Sequence, residues 1–294
     1  MPSVRWENRP ELRDPVLVAA FGGWNDAADA ATDAVSWLAR RFDAESFAAL
    51  DPASYYDFQA ARPEVRLRDG VMESLTWPTT GFAAAHVDGA CHDLVLATGP
   101  EPNLVWSDFC DAVLAVAHDT GSTTVITLGA LLAEAPHTRP VRLTGAAHDA
   151  GLSARLRLHT SHYEGPTGVT GALHHAATEA GFAAASVWAP VPHYVASPPN
   201  PPCTVALLDA VDAAVDLHLD TGDLATEADG WRRRVEVATS SDSEIESYIR
   251  TLEEGYDAEA SVTGTAGSEA SDVDIPSGDA LAAEFQRYLR GERD

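Results

Sequence analysis

The chain contains no lysine; all 19 of its basic residues are arginines. A Walker-type lysine on a phosphate is therefore excluded. So is a Schiff-base lysine, and with it ordinary pyridoxal-phosphate and lysine-aldolase chemistry. Kinase-type nucleotide binding through a strand lysine is excluded too. Cysteine is scarce: Cys91, Cys110 and Cys203 are far apart and form no Cys-x-x-Cys pair. Neither a disulfide framework nor a zinc cage is expected, and the three read as small core residues. No apolar run reaches the length of a membrane span. The segment Met1–Asp14 is polar and lacks the apolar stretch of a secretory signal, so a cytoplasmic location is expected. Two further signatures are missing. No Gly-x-Ser-x-Gly elbow supports a hydrolase triad, and no Gly-x-Gly-x-x-Gly follows the first strand to hold a dinucleotide.

What is abundant is negative charge. Over 294 residues the formal net charge is −26. Phosphate backbones and anionic membrane surfaces are repelled by such a chain, so neither nucleic acid nor membrane is expected as a partner. An acidic protein of this kind suits basic partners, or uses its charge for solubility. At 45% hydrophobic and 22% charged residues, the composition is that of a globular protein.

Short apolar runs alternate with helical spacing. Val16–Phe21, Ser46–Leu50, Asp93–Thr98, Thr123–Leu128 and Ala184–Ala189 read as strands, several of them closed by glycine. Asn25 and Asp26 are placed to cap a helix carrying Ala27, Ala31, Ala34 and Leu38. In that reading Asp26, Asp29 and Asp33 share its opposite face. Pro102 and Asn103 open a second helix through Trp106, Phe109, Val113 and Ala117, and Gly165–Gly168 lead into a third. A fourth spans Thr204–Leu219, with Asp209, Asp212 and Asp216 as an acidic stripe. Val65–Trp77 reads as a hairpin turning at Asp69-Gly70. Alternation of strand and helix indicates an α/β fold, a largely parallel sheet covered on both faces.

The expected organisation is a core domain over residues 1–222, a helical extension over 223–256, a flexible acidic linker over 257–277, and a short amphipathic helix and tail over 278–294. That last segment carries Leu281, Phe285 and Leu289 at four-residue spacing.

In an open parallel sheet, ligands gather at the carboxyl ends of the strands. The polar segments after the strands supply the ligand-binding candidates Asn25, Asp26, Glu101, Asn103, Thr167, Gly168, His193 and Tyr194. The start of the helix after Gly168 exposes backbone N–H groups and suits a phosphate or carboxylate, with Thr167 beside it; a tight turn and helix cap is the alternative. His193 is the candidate acid/base group, since its charge changes near neutral pH. The chain has 11 histidines. No His-x-x-x-His pair or His-Glu-x-x-His motif places them as ligands, so no metal is expected and no cofactor is proposed. His174 and His175 read as surface residues.

Six segments in order carry a resemblance. They are Phe21-Gly22-Gly23-Trp24-Asn25-Asp26-Ala27; Tyr55-Tyr56-Asp57-Phe58 with Arg62-Pro63; Gly99-Pro100-Glu101-Pro102-Asn103 with Trp106; Leu128-Gly129-Ala130-Leu131 with Pro136-His137-Thr138-Arg139-Pro140; Tyr163-Glu164-Gly165-Pro166-Thr167-Gly168; and Trp188 through Pro192-His193-Tyr194. Together they resemble the proteasome assembly chaperone family, in its chaperone-2-like, actinobacterial type.

The resemblance implies a three-layer α/β/α fold, phosphorylase/hydrolase-like, with C-terminal helices. It also implies self-association as a homo-oligomer and proteasome subunits as partners. The expected function is that of a protein-binding chaperone rather than an enzyme. The rival is an enzyme or small-ligand binder for a phosphorylated or nucleoside-like compound at the strand ends. A third reading makes every motif structural, with Trp24 and Trp188 packed in the core.

Overall fold

The computed structural model describes residues 4–156, 158–160 and 163–263. It divides into two units, residues 1–254 and 255–294. The elements of the first are, in chain order, β1 (Val4–Trp6), β2 (Val16–Gly22), α1 (Ala30–Arg41), β3 (Glu45–Leu50), α2 (Pro52–Tyr55), β4 (Glu64–Arg68), β5 (Val71–Thr76), β6 (Gly81–Ala85), β7 (Leu94–Pro100), α3 (Trp106–Asp119), β8 (Thr124–Ala133), β9 (Thr144–Ala147), α4 (Ala150–Leu156), β10 (His159–Thr160), α5 (Val169–Glu179), β11 (Ala183–Pro192), α6 (Pro201–Val215), α7 (Gly222–Thr239) and the greater part of α8 (Ser243–Thr263). The expected amphipathic helix over 278–294 lies outside the described residues. Of the expected linker, 257–263 continues α8 as helix.

Among the described residues the main sheet runs β1-β3-β6-β7-β2-β8-β11-β9-β10. Its centre is parallel: β7, β2, β8 and β11 run the same way. The strands flanking this centre, β6 and β9, pair antiparallel to it. Strand β2 is buried on both faces. Its alternate side chains serve two cores, as the two-residue period of a strand requires. Val16, Val18 and Ala20 meet α1, α4 and α6 in one core, while Leu17, Ala19 and Phe21 meet α3 and α5 in the other. Phe109 at the centre of the second core has T-shaped contacts with Phe21 (5.3 Å) and Tyr55 (5.5 Å).

Two expectations about elements change, and a third is met. Strand β8 does not stop at Gly129 but runs on to Ala133, paired with β11 as far as Pro192. Gly129 leaves room for Trp188 of β11; a Cβ there would come within 2.6 Å of the indole. Helix α3 begins at Trp106, after Val105 in the left-handed region (φ +43°), rather than at Pro102. The hairpin of β4 and β5 turns at Asp69-Gly70 as expected, but it forms its own two-stranded sheet and every residue of both strands is exposed.

Candidate functional site

The parallel strands end together, so the loops after them meet at one edge. After β2 the chain turns at Gly23. The Asn25 carbonyl then accepts the Ala130 N–H (2.8 Å), which lays the loop along β8. This directs the Asn25 side chain inward, where it is fully buried. Its amide Nδ2 donates to Glu101 Oε1. The same carboxylate oxygen accepts the Val169 N–H at 2.9 Å, and the Glu101 N–H donates to the Gly22 carbonyl (2.7 Å). The loops after β2 and β7 and the start of α5 are thus fastened to one another. The start of α5 is taken by the protein's own Glu101 carboxylate, which suits the N–H groups and dipole there. Gly168 is required because a Cβ there would overlap the Asn25 amide. Asn25 Oδ1 and, nearby in sequence on α5, Thr170 Oγ1 are buried without a hydrogen-bond partner.

Asp26 is also buried, at 4% exposure, and so does not belong to a solvated face. Its carboxylate accepts the Ala31 N–H (2.7 Å) and the Thr32 hydroxyl, capping α1 across a short 3-10 turn. Burial pushes its carboxyl above the ordinary range, against the pull of those bonds. The turn itself holds Ala28 and Asp29 at φ +53° and +55°.

The other candidates separate. Asn103 turns away: its Oδ1 accepts the Asp57 N–H (3.0 Å) and its N–H donates to the Tyr55 carbonyl (3.0 Å). It therefore positions the loop in which Tyr56 donates to the Pro100 carbonyl (3.0 Å). Burial pushes the Tyr56 phenol up to about 12. Thr167 Oγ1 lies against Gly171.

His193 and Tyr194 form a second cluster, beyond the ends of β8 and β11. The Tyr194 hydroxyl accepts the His137 N–H (2.8 Å) and meets His137 Nδ1 at 2.9 Å. His193 Nδ1 donates to the Ala133 carbonyl (3.1 Å), and its ring meets Tyr248 of α8 edge-on at 5.7 Å. His137, 5% exposed, was not singled out as a site residue by sequence reasoning; its only signal is its place in a Pro-His-Thr-Arg-Pro segment. Its Nε2 is buried without a partner, and burial lowers its pKa against the raising effect of Glu236 and Glu253. An open groove beside it is lined by Thr138, Glu236, Thr239, Arg250 and Glu253. His174 also departs from the surface reading: it is half-buried, and burial lowers its pKa.

The thiols of Cys110 and Cys203 are buried and pushed up to about 12, which leaves them thiols rather than nucleophilic thiolates. Cys91 is exposed rather than a core residue. Among the described residues no three His, Cys, Asp or Glu side chains group as a metal set would. The strand-end edge presents several large apolar side chains outward, among exposed polar ones such as Asp29, Glu134 and Glu164. Trp24 is 67% exposed, contrary to its reading as a core residue; Leu104, Val105, Leu131, Leu132 and Tyr163 are exposed as well.

The fold has solved relatives. A proteasome-assembly chaperone homologue from Mycobacterium tuberculosis is 44% identical, with 80% of this chain and 99% of that chain covered and a TM-score of 0.75. A PAC2 family protein from Streptomyces avermitilis is 47% identical over 80% of this chain and 100% of that chain, with a TM-score of 0.74. The Pyrococcus furiosus archaeal proteasome activator PbaB shares the fold, at 17% identity and a TM-score of 0.63 over 80% of this chain and 97% of its own. Among curated proteins none matches. The PAC2 family matches residues 20–239, which include Asn25, Glu101, Gly168 and the His137–Tyr194 pair, and the chain belongs to that family.

Proposed function

We propose that this chain is a non-enzymatic chaperone that binds proteasome subunits through the strand-end edge, working in the cytoplasm as a homo-oligomer. The observation that carries the reading is the division of labour at that edge. Several of its polar groups are engaged within the protein itself: Glu101 occupies the start of α5, Asp26 caps α1, and Asn103 holds the Tyr56 loop. Its apolar side chains face outward, led by Trp24 at 67% exposure. Exposed aromatic and aliphatic groups on a hydrogen-bonded base suit a protein partner, with Trp as the natural anchor. The strongly acidic chain favours a basic approach surface on that partner. The choice of partner is supported by the Mycobacterium relative, a proteasome-assembly chaperone homologue, and the Pyrococcus relative, an archaeal proteasome activator.

The test mixes the purified chain with free proteasome α- and β-subunits of the same organism and resolves complexes by size-exclusion chromatography. A stoichiometric complex that Trp24→Ser abolishes is the expected result. No complex with free subunits or assembled rings overturns the reading.

One observation favours the rival small-ligand reading: the fully buried Asn25 Oδ1 has no partner. A phosphorylated or nucleoside-like compound binding there would have to displace Glu101 from α5. Thermal-shift titration with inorganic phosphate and nucleosides separates the two readings. Stabilisation lost in Asn25→Ala would support a ligand site, and no shift is expected.

A further inference from the structure

A buried polar group stands open beside the groove beyond the ends of β8 and β11. His137, 5% exposed, is held from one side: the Tyr194 hydroxyl accepts its backbone N–H (2.8 Å) and lies 2.9 Å from its Nδ1. Burial keeps the ring neutral by lowering its pKa. The hydroxyl has one proton to donate, and Nδ1 is the acceptor within reach. The proton of the neutral imidazole then sits on Nε2. Nε2 is buried without a partner. His137 therefore holds an unpaired donor, and buried donors call for an acceptor.

The groove that His137 lines has a volume of about 190 Å³. That is below the roughly 300–1,000 Å³ of a pocket for a whole small molecule, and it suits one long side chain. The lining comes from His137 and Thr138, the end of α7 and the middle of α8. Its acids outnumber its cations, with Glu236, Glu246 and Glu253 against Arg250. Arg250 faces Glu246 (3.4 Å), and Glu253 is engaged by the Thr138 hydroxyl and by Arg139 (3.2 Å). Arg232, which also acts on His137, is paired with Asp229 (3.0 Å). Glu236 remains as an exposed carboxylate with no cation at ion-pair distance among the described residues. Ile249, 6% exposed, adds an apolar wall.

A ligand that matches this lining carries an acceptor for His137, an aliphatic stretch for Ile249 and a cation for Glu236. An arginine within a peptide chain has all three, in its main-chain carbonyl, its stem and its guanidinium. We propose that the groove receives an arginine side chain presented by a partner protein, its carbonyl on His137 Nε2 and its guanidinium on Glu236. A phosphate or carboxylate would satisfy His137 but would meet the excess of acid. A simple amine would leave His137 unpaired. The arginine's source rests on the protein-binding reading above, as a second contact; peptide probes test the groove without any subunit.

The experiment titrates the full chain, carrying isotope-labelled histidine, with the capped tripeptide acetyl-Gly-Arg-Gly-amide and follows the His137 ring by NMR. A saturable shift of Nε2 is expected. The citrulline counterpart, of the same shape without the charge, is expected to bind at least tenfold more weakly. Glu236→Gln is expected to weaken the arginine peptide at least fivefold with an unchanged circular-dichroism spectrum. Because it leaves most of the acidic surface in place, it separates this site from general attraction to a chain of net charge −26. Methylguanidinium, which lacks the carbonyl, should bind at least fivefold more weakly than the tripeptide.

No saturable shift, equal binding of the citrulline peptide, or undiminished binding to Glu236→Gln would each overturn the proposal. So would methylguanidinium binding as tightly as the tripeptide, or tighter binding of acetyl-Gly-Glu-Gly-amide. Failure of the chaperone role alone would appear as a chain that takes the arginine peptide at His137 but forms no complex with proteasome subunits.

Discussion

The two ends of the parallel strands are built on opposite terms. At the amino end, Asp93 just before β7 is fully buried and fully engaged. It accepts the N–H groups of Arg13 (2.8 Å) and Val87 (3.1 Å), and it meets the Arg13 guanidinium at 2.8 Å and the His86 ring at 2.9 Å. Burial works against its charge, but these partners outweigh burial and hold the carboxyl well below the ordinary range. At the carboxyl end, Asp26 is buried without a cation, and its carboxyl is raised. Asn25 Oδ1 there has no partner, and Ala28, Asp29 and Val105 hold positive φ. Positive φ is not confined to that end, since Asp14 before β2 is at +38°. What distinguishes the carboxyl end is unpaired polarity beside exposed apolar groups, a pattern associated with function.

The comparison breaks first at Asp93. Asp93→Ala orphans two backbone N–H groups and leaves Arg13 without its buried partner. Urea unfolding should show a loss of about 3 kcal/mol. A loss below about 1 kcal/mol would mean that the amino end is not the anchor.

The pH dependence sharpens the same contrast. Because the folded pKa of Asp93 lies below its unfolded value of 3.8, its contribution is present above that value and is lost as pH falls through the folded pKa. Asp26 has the opposite sign. Its folded pKa is raised above 3.8, so stability rises as pH falls from that raised value towards 3.8. Unfolding curves between roughly pH 6 and 2 should show an acid loss that Asp93→Asn removes, leaving the reversed slope.

Strain at the carboxyl end gives a smaller effect. A β-branched residue in the left-handed region costs about 1–2 kcal/mol, so Val105→Gly should raise thermal stability by about 1 kcal/mol while weakening subunit binding. Lower stability would show that Val105 packs on its own chain. The smallest effect on stability belongs to Trp24→Ser, within about 0.5 kcal/mol by differential scanning calorimetry. Its large effect should fall on complex formation instead.

Much of this was legible in the chain itself. Both-face burial of β2, β7 and β8 follows from continuous apolar runs, and the hairpin turn at Asp69-Gly70 follows from a residue pair that tolerates positive φ. The convergence of Asn25, Asp26, Glu101 and Gly168 at one edge follows from parallel strand order. What was not legible lay in contacts between residues far apart in sequence. Glu101 stands beside the Pro-Asn turn, yet it serves a helix 68 residues on. Trp24 reads as core by hydrophobicity, but Asn25 takes the inward position because its carbonyl is drawn to Ala130. Asn103 and the His193–Tyr194 pair belong to neighbouring networks that no local pattern separates from the edge.

The sequence by itself determined the family, the α/β alternation, the exclusion of lysine chemistry and the acidic surface, because these rest on composition and on local period. Only the tertiary structure decided which carboxylate fills the start of α5, which buried aspartate is paired and which is not, and which hydrophobic side chains stay in water. Those outcomes depend on how desolvation is balanced by partners that the fold alone brings within reach.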